Sequence, residues 1–163
     1  MVNSGDTAFM IICAALVCLM TPGLAFFYGG LVSRKNVLTI MMQSFISMGV
    51  VTIIWFAFGF SMAFGPDVGG IIGGMKYVFL HNVGMDPNSA YGATIPFITF
   101  CAYQYMFAII TPALITGAFA DRVSFKSYLI LLVAWSVLIY IPLTHWVWGG
   151  GFLQQMGVID FAG

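Results

Sequence analysis

The chain has 163 residues, of which 61% are hydrophobic and only 6% are charged. An average soluble domain carries about 25% charged residues, so this composition excludes an ordinary water-soluble fold. Five basic and five acidic residues give a formal net charge of zero, which excludes the basic surface that nucleic-acid binding requires.

Four long apolar intervals with very few charges indicate membrane-spanning helices. They cover approximately residues 8–30, 37–65, 95–118 and 128–148. A bilayer offers no water to backbone groups, so a spanning segment must satisfy them internally as a helix of about 20 residues. A chain of this size cannot bury four such runs against itself as soluble-core helices. The sequence therefore predicts an all-α, multi-pass membrane protein in a lipid bilayer, with a fifth span that begins near Asp160.

The basic residues of the two short connections predict the orientation of the chain. Arg34 and Lys35 follow the first span, and Arg122 and Lys126 follow the third. Positive residues in short loops stay on the cytoplasmic side. Both loops therefore lie inside, which leaves only Lys76 outside and predicts that the N-terminus is also outside.

The connection between the second and third spans, residues 65–94, is longer and rich in glycine. No Gly-Lys-Ser/Thr sequence follows the glycines, so a phosphate-binding loop is not indicated. We expect an outer connection with one short amphipathic piece around Tyr77 to Leu80. His81 is interpreted as an exposed side chain, because no second His, Cys or carboxylate stands at metal-ligand spacing.

No motif for catalysis, metal or cofactor binding is present. Three cysteines lie in apolar spans without CxxC spacing and are interpreted as core residues: Cys13, Cys18 and Cys101. Asp121 beside Arg122 is interpreted as a loop ion pair. Without a nucleophile and base, paired carboxylates or a metal cluster, the sequence predicts that the protein is not an enzyme and uses no cofactor.

Aromatic residues occur in the third span and at the outer end of the fourth. Tyr103 and Phe107 are four residues apart and so share one helix face. Tyr140, Trp146 and Trp148 suit an interfacial aromatic belt. From spacing alone, packing and a binding function both remain open for these rings.

Four segments, in order, carry a family resemblance: GGLVSRKNVL at 29–38, GAFADRVSF at 117–125, IPLTHWVWGGG at 141–151 and VIDFAG at 158–163. Together they resemble the ammonium transporter family, Amt/Mep/Rh. The resemblance implies an eleven-helix transporter with two inverted halves of five helices and one extra helix, assembled as a homotrimer. This chain would supply helices one to four and the start of helix five.

The resemblance also implies that the paired pore histidines of the family come after Gly163. Neither His81 nor His145 matches them, and His145 is interpreted as a packing or interface residue near the outer surface. Trp146 is likewise interpreted as packing, and the glycines at 149–151 as a turn.

The resemblance implies an outer site that recruits ammonium. Trp148 and Phe107 match the aromatic residues of that site, and Tyr103 falls where many members have Phe. Asp160 resembles the carboxylate that supports the site, and Ala162 the residue whose carbonyl points toward the substrate. The expected mechanism is conduction as ammonia through an apolar pore, with the proton handled separately.

Partners and alternatives follow from the same resemblance. It implies ammonium or ammonia as substrate, nitrogen uptake across the cell membrane, and a PII-type regulatory protein on the cytoplasmic face. An ammonium sensor with the same fold is one alternative. A small polytopic scaffold or exporter, complete at 163 residues, is another.

Overall fold

A computed structural model describes residues Met1 to Phe161. Four of its helices are long and apolar enough to cross a membrane: Ser4–Leu31, Arg34–Phe64, Phe97–Ala118 and Phe125–Gln155. They contain nearly all of the four predicted spans, so the prediction of an all-α, multi-pass membrane protein is confirmed. The fourth span is longer than predicted at both ends.

The chain divides into two compact units. The first, here called the helical unit, comprises Met1–Thr52 and Val83–Val133. The second, here called the mixed unit, comprises Ile53–Asn82 and the chain from Ala134 onward.

The helical unit begins with helix α1, Ser4–Leu31. Asn3 precedes it in an extended conformation, and its side-chain oxygen accepts from the backbone N–H of Gly5 at 2.8 Å and of Asp6 at 3.2 Å. These bonds satisfy two of the N–H groups that a helix start leaves without partners. Asn3 is therefore the cap, and Asp6 lies in the first turn, where its negative charge favours the helix.

Helix α1 packs against helix α4, Phe97–Leu114. The residues that α1 buries are mostly small and recur every three or four positions: Ala14, Val17, Thr21, Ala25 and Gly29. Small side chains let two membrane helices approach closely. The Tyr28 hydroxyl adds a polar contact by donating to the Leu114 carbonyl at 2.9 Å, which satisfies a carbonyl at the end of α4.

Two of the long helices contain a π-helical turn. Helix α2, Val37–Ile54, follows a 3₁₀ turn at Arg34–Asn36 and continues through a π turn at Trp55–Gly59 into α3, Phe60–Phe64. Helix α5, Phe125–Trp135, continues through a π turn at Ser136–Tyr140 into α6, Ile141–Trp148. Pro142 has no N–H to donate to the carbonyl four residues earlier, which accounts for the irregular second turn. A short helix α7, Phe152–Gln155, follows.

The long connection between the second and third spans contains two small antiparallel hairpins that the sequence did not predict. In the mixed unit β1, Asp67–Val68, pairs with β2, Ile72–Gly73, across a turn in which Gly69 and Gly70 have positive φ angles of 67° and 76°. In the helical unit β3, Pro87–Asn88, pairs with β4, Gly92–Pro96. The expected amphipathic piece, Met75–Leu80, consists of short 3₁₀ turns separated by a kink with non-helical backbone at Tyr77–Phe79. Tyr77 is buried and Phe79 is exposed.

The expected ion pair between Asp121 and Arg122 is wrong. Within Met1–Phe161 the only salt bridge joins His145 and Asp67. The Asp121 carboxylate instead accepts from the Asn36 amide at 2.6 Å and from the Ser33 N–H at 3.5 Å. Asp121 has a left-handed backbone, with φ of 65°. This cluster borders a polar cavity of about 260 Å³ at the start of α2.

Candidate functional site

Tyr103 and Phe107 are adjacent on α4, as their spacing predicts. The two ring centroids lie 5.0 Å apart, and the rings meet edge to face at 79°. Both side chains are half-buried, so their faces remain partly available. Aromatic faces carry partial negative charge and attract cations.

Trp148 is the last residue of α6 in the mixed unit, and 41% of its surface is exposed. The glycines that follow form a tight turn, in which the N–H groups of Gly149 and Gly151 donate to the His145 carbonyl at 3.0 and 2.9 Å. Gly150 has a φ of 94°. A Cβ on Gly149 would lie 2.0 Å from the Ala63 carbonyl oxygen. The predicted glycine turn is therefore present, and Gly149 leaves no room for a side chain.

Trp146 is a packing residue, as predicted. Its indole N–H donates to the Ile71 carbonyl at 2.7 Å, and its ring centroid lies 5.3 Å from that of Phe152. The two neighbouring tryptophans of α6 therefore differ, because Trp146 has a fixed polar partner whereas no hydrogen bond to the Trp148 indole occurs within Met1–Phe161.

His145 is fully buried and bonded at both ring nitrogens. Nδ1 lies 2.9 Å from the Ala63 carbonyl oxygen, and Nε2 lies 2.9 Å from Oδ1 of Asp67. The sequence interpretation of His145 as a packing residue is correct but incomplete, since its partner Asp67 is 78 residues away. One signal points to the pair: His145 and Asp67 both stand near the predicted outer ends of spans.

Asp67 joins His145 to the hairpin of β1 and β2. Its carboxylate also accepts from the Gly70 N–H at 2.9 and 3.0 Å and from the Gln155 side chain at 3.5 Å. The hydrogen bond from His145 is the main cause that lowers the pKa of the Asp67 carboxyl below its usual value, and the bond from Gly70 adds to it. The Asp67 side chain is 32% exposed.

The remaining predicted site residues lie near the end of the described chain. Asp160 is half-buried in the mixed unit, and residues 158–161 have no regular secondary structure. Ala162 lies outside the described residues, as does the continuation of the predicted fifth span. Within Met1–Phe161, no group of three or more His, Cys, Asp or Glu side chains is placed to hold a metal ion.

Comparison with known proteins decides the family. The model of the Ammonium Transporter Family matches residues 8–163. The chain belongs to the ammonium transporter family. An ammonium transporter of Bacillus subtilis is 52% identical over 159 residues, which cover 98% of this chain and 39% of the relative. Such relatives are named as transporters and not as enzymes, in agreement with the sequence prediction.

Solved structures show the same fold. A Mep2 mutant from Candida albicans matches with a TM-score of 0.84 and 32% identity, over 99% of this chain and 40% of that one. A protein described as a sensor Amt protein matches with a TM-score of 0.86 and 27% identity, over 97% of this chain and 39% of that one. The chain thus spans about two fifths of the length of its relatives.

Proposed function

We propose that the full-length protein transports ammonium across the cell membrane. The observation that carries this proposal is the family match over residues 8–163, together with relatives that are named ammonium transporters. The four apolar helices supply the membrane-spanning scaffold that such a transporter needs.

The proposed recruiting groups are the rings of Trp148, Phe107 and Tyr103, an assignment that rests on the family motifs. A ring over a cation contributes about 0.5–2 kcal/mol, whereas removing water from an isolated ion costs up to tens of kcal/mol. Rings alone are therefore insufficient. We assign the supporting negative charge to Asp160 and a carbonyl acceptor to Ala162.

Conduction is proposed to occur as ammonia. An apolar pore disfavours the charged form of an amine and so lowers its effective pKa. The proton would leave at the outer mouth and be handled separately. This step separates ammonium, which has a proton to give up, from potassium, which has none.

The test is uptake of labelled methylammonium by cells that express the full-length protein. We expect Trp148→Ala to raise KM roughly 2- to 30-fold, the equivalent of about 0.5–2 kcal/mol, and Trp148→Ala with Phe107→Ala to raise KM further. Phe26→Ala is the matched control, because Phe26 is a ring on α1 that is 65% exposed. Normal uptake by the double variant would exclude these rings as the recruiting site.

A second candidate is an ammonium sensor, which the match to a sensor Amt protein favours. A sensor binds ammonium at the same rings but passes a signal to a partner. It predicts that the wild-type protein gives no methylammonium uptake while the response of the partner still depends on Trp148. Uptake that saturates with substrate concentration favours the transporter.

The assembly and orientation are proposed from the family and from the basic loops. We propose a homotrimer with its N-terminus outside, and a cytoplasmic face that offers Arg34, Lys35, Arg122 and Lys126 to a PII-type protein. Chemical cross-linking of the purified protein tests the trimer. An epitope before Asn3 that antibodies reach in intact cells tests the orientation, and an epitope found only after permeabilisation contradicts it.

A further inference from the structure

The hydrogen bonds of His145 determine its protonation. Nδ1 faces a backbone carbonyl, which can only accept, so Nδ1 must carry a proton. Nε2 faces Oδ1 of Asp67. If Asp67 is ionised, Nε2 must carry a proton as well, because two lone pairs at 2.9 Å repel each other. The Gly70 N–H donates to both Asp67 oxygens, which favours the carboxylate form. The geometry therefore assigns a proton to each ring nitrogen, which makes the ring an imidazolium.

The backbone of His145 holds the turn that follows Trp148. Its carbonyl accepts from Gly149 and Gly151, and the N–H of Gly150 donates to the side chain of Gln154 at 2.7 Å. The Gln155 amide bridges the Gly150 carbonyl at 2.7 Å and the Asp67 carboxylate at 3.5 Å. Two routes thus connect the turn to Asp67. One runs through the backbone carbonyl and the ring of His145, and the other through the side-chain amide of Gln155.

Trp148 lies three positions after His145 on α6, and residues at this spacing are neighbours on one helix face. Its indole has no hydrogen-bond partner within the described part of the chain, and two fifths of its surface are exposed. The ring therefore has no directed polar contact within the described residues, and its position depends on the backbone of the α6 end and on packing.

We propose that His145 is a positioning residue for the outer site: as an imidazolium held by Asp67 and by the Ala63 carbonyl, it fixes the end of α6 that presents Trp148 to ammonium. This inference rests on the proposed role of Trp148. The Asp67 carboxylate neutralises the imidazolium, so the pair adds no net positive charge that would repel the substrate.

Asp67→Asn and Asp67→Ala separate the geometry of the pair from its charge. The Asn amide can donate to Nε2 of a neutral ring whose Nδ1–H still reaches Ala63, while the Asn oxygen still accepts from Gly70. His145 and Gly70 then each keep one hydrogen bond to the side chain at position 67. Asp67→Ala removes the partner and leaves Nε2 buried without one. Asp86→Ala is the matched control, because Asp86 is an exposed carboxylate in the same connection between spans.

The first experiment is ¹⁵N NMR of the His145 ring in the full-length protein near neutral pH. We expect both ring nitrogens to be protonated in the wild type, and only Nδ1 to be protonated in Asp67→Asn. A neutral ring in the wild type, or an Asp67→Asn ring protonated at Nε2, overturns the assigned protonation. This readout does not depend on transport, so it stands even if the proposed function fails.

The second experiment places 5-fluorotryptophan in the protein and follows the ¹⁹F resonance of Trp148, assigned with Trp148→Phe. Asp67→Ala is expected to shift this resonance, and Asp67→Asn and Asp86→Ala are expected to leave it in place. An unmoved resonance in Asp67→Ala overturns the positioning role whatever the transport data show.

The third experiment measures methylammonium uptake. Asp67→Ala is expected to raise KM roughly 2- to 30-fold, up to the effect of Trp148→Ala, with a smaller effect on kcat, and Asp67→Asn is expected to restore KM. Because Asp67 acts through Trp148, adding Asp67→Ala to Trp148→Ala should raise KM no further. Multiplied effects in the double variant contradict the proposal, and so does an Asp67→Asn variant as impaired as Asp67→Ala.

Discussion

The helical unit and the mixed unit are each stabilised internally by a different kind of interaction. In the helical unit, α1 and α4 pack mostly through small apolar residues. Side-chain hydrogen bonds to the backbone occur there at helix ends and also between helices, as from the Ser47 hydroxyl to the Ile109 carbonyl at 3.2 Å. In the mixed unit, short helices and two-residue strands depend on buried polar contacts and on close approach of backbone to backbone. Apolar packing tolerates small changes, whereas a network of directed bonds does not.

Ser61 shows how directed bonds organise the mixed unit. Its hydroxyl donates to the Gly74 carbonyl at 2.8 Å and accepts from the Tyr77 N–H at 2.8 Å. Phe60, beside it, lies with its ring centroid 5.5 Å from that of Phe64 and 5.9 Å from that of Tyr77. The mixed unit therefore combines packed aromatic rings with side-chain to backbone hydrogen bonds. The short helix α3 contributes to both, through Phe60, Phe64 and Ser61.

The largest expected effect of a single substitution is Gly149→Ala in the mixed unit. The added Cβ would lie 2.0 Å from the Ala63 oxygen and 2.6 Å from Nδ1 of His145, so backbone and ring must both move. We expect destabilisation of about 3 kcal/mol, the upper part of the range for overpacking. Thermal unfolding in detergent measures it.

Gly23→Ala in the helical unit is the matched control for Gly149→Ala. A Cβ on Gly23 meets nothing within 4 Å, and alanine is favoured over glycine inside a helix by about 0.5–1 kcal/mol. Gly23→Ala should therefore be neutral or stabilising. Equal losses from the two substitutions would contradict the difference between the units.

The second-largest expected effect is a loss of stability of the mixed unit at acid pH. The pKa of folded Asp67 lies below its ordinary 3.8, so its contribution to stability is present above that pH. The contribution is lost as the pH falls below 3.8, through the folded pKa. Below pH 3.8, the thermal unfolding midpoint of the wild type should therefore drop more steeply than that of Asp67→Asn. Parallel curves for the two proteins would show that the carboxylate of Asp67 contributes nothing as an ion.

The features of the structure that the sequence predicts correctly are those formed by residues close together in the chain. The four spans follow from length and hydrophobicity, and the shared face of Tyr103 and Phe107 follows from helical spacing. The glycine turn after Trp148 also follows from residues that are neighbours in sequence. In each case the deciding interaction lies within a few residues.

The sequence does not predict the contacts that join distant parts of the chain. His145 and Asp67 are 78 residues apart, and Asn36 and Asp121 are 85 apart. The hairpin of β1 and β2 has strands of two residues, too short for an alternating pattern. Hydrophobic periodicity predicts which helices form, but it does not predict which polar groups tertiary folding brings together.

The smallest expected effect tests the cluster at Asp121 in the helical unit. The Asn36 amide donates to the Asp121 carboxylate at 2.6 Å and to the Ser33 hydroxyl at 3.2 Å. Because the cluster is exposed, Asn36→Ala should cost only about 0.5 kcal/mol. Arg122→Ala should cost less, since Arg122 forms no salt bridge within Met1–Phe161. Thermal unfolding of the two variants in detergent tests this order of the two losses. If Asp121 and Arg122 formed an ion pair, Arg122→Ala would cost more stability than Asn36→Ala. The loss should also stay near the start of α2 in hydrogen exchange, since the rest of α2 is held by other buried residues, such as Ile40, Ser47 and Val51.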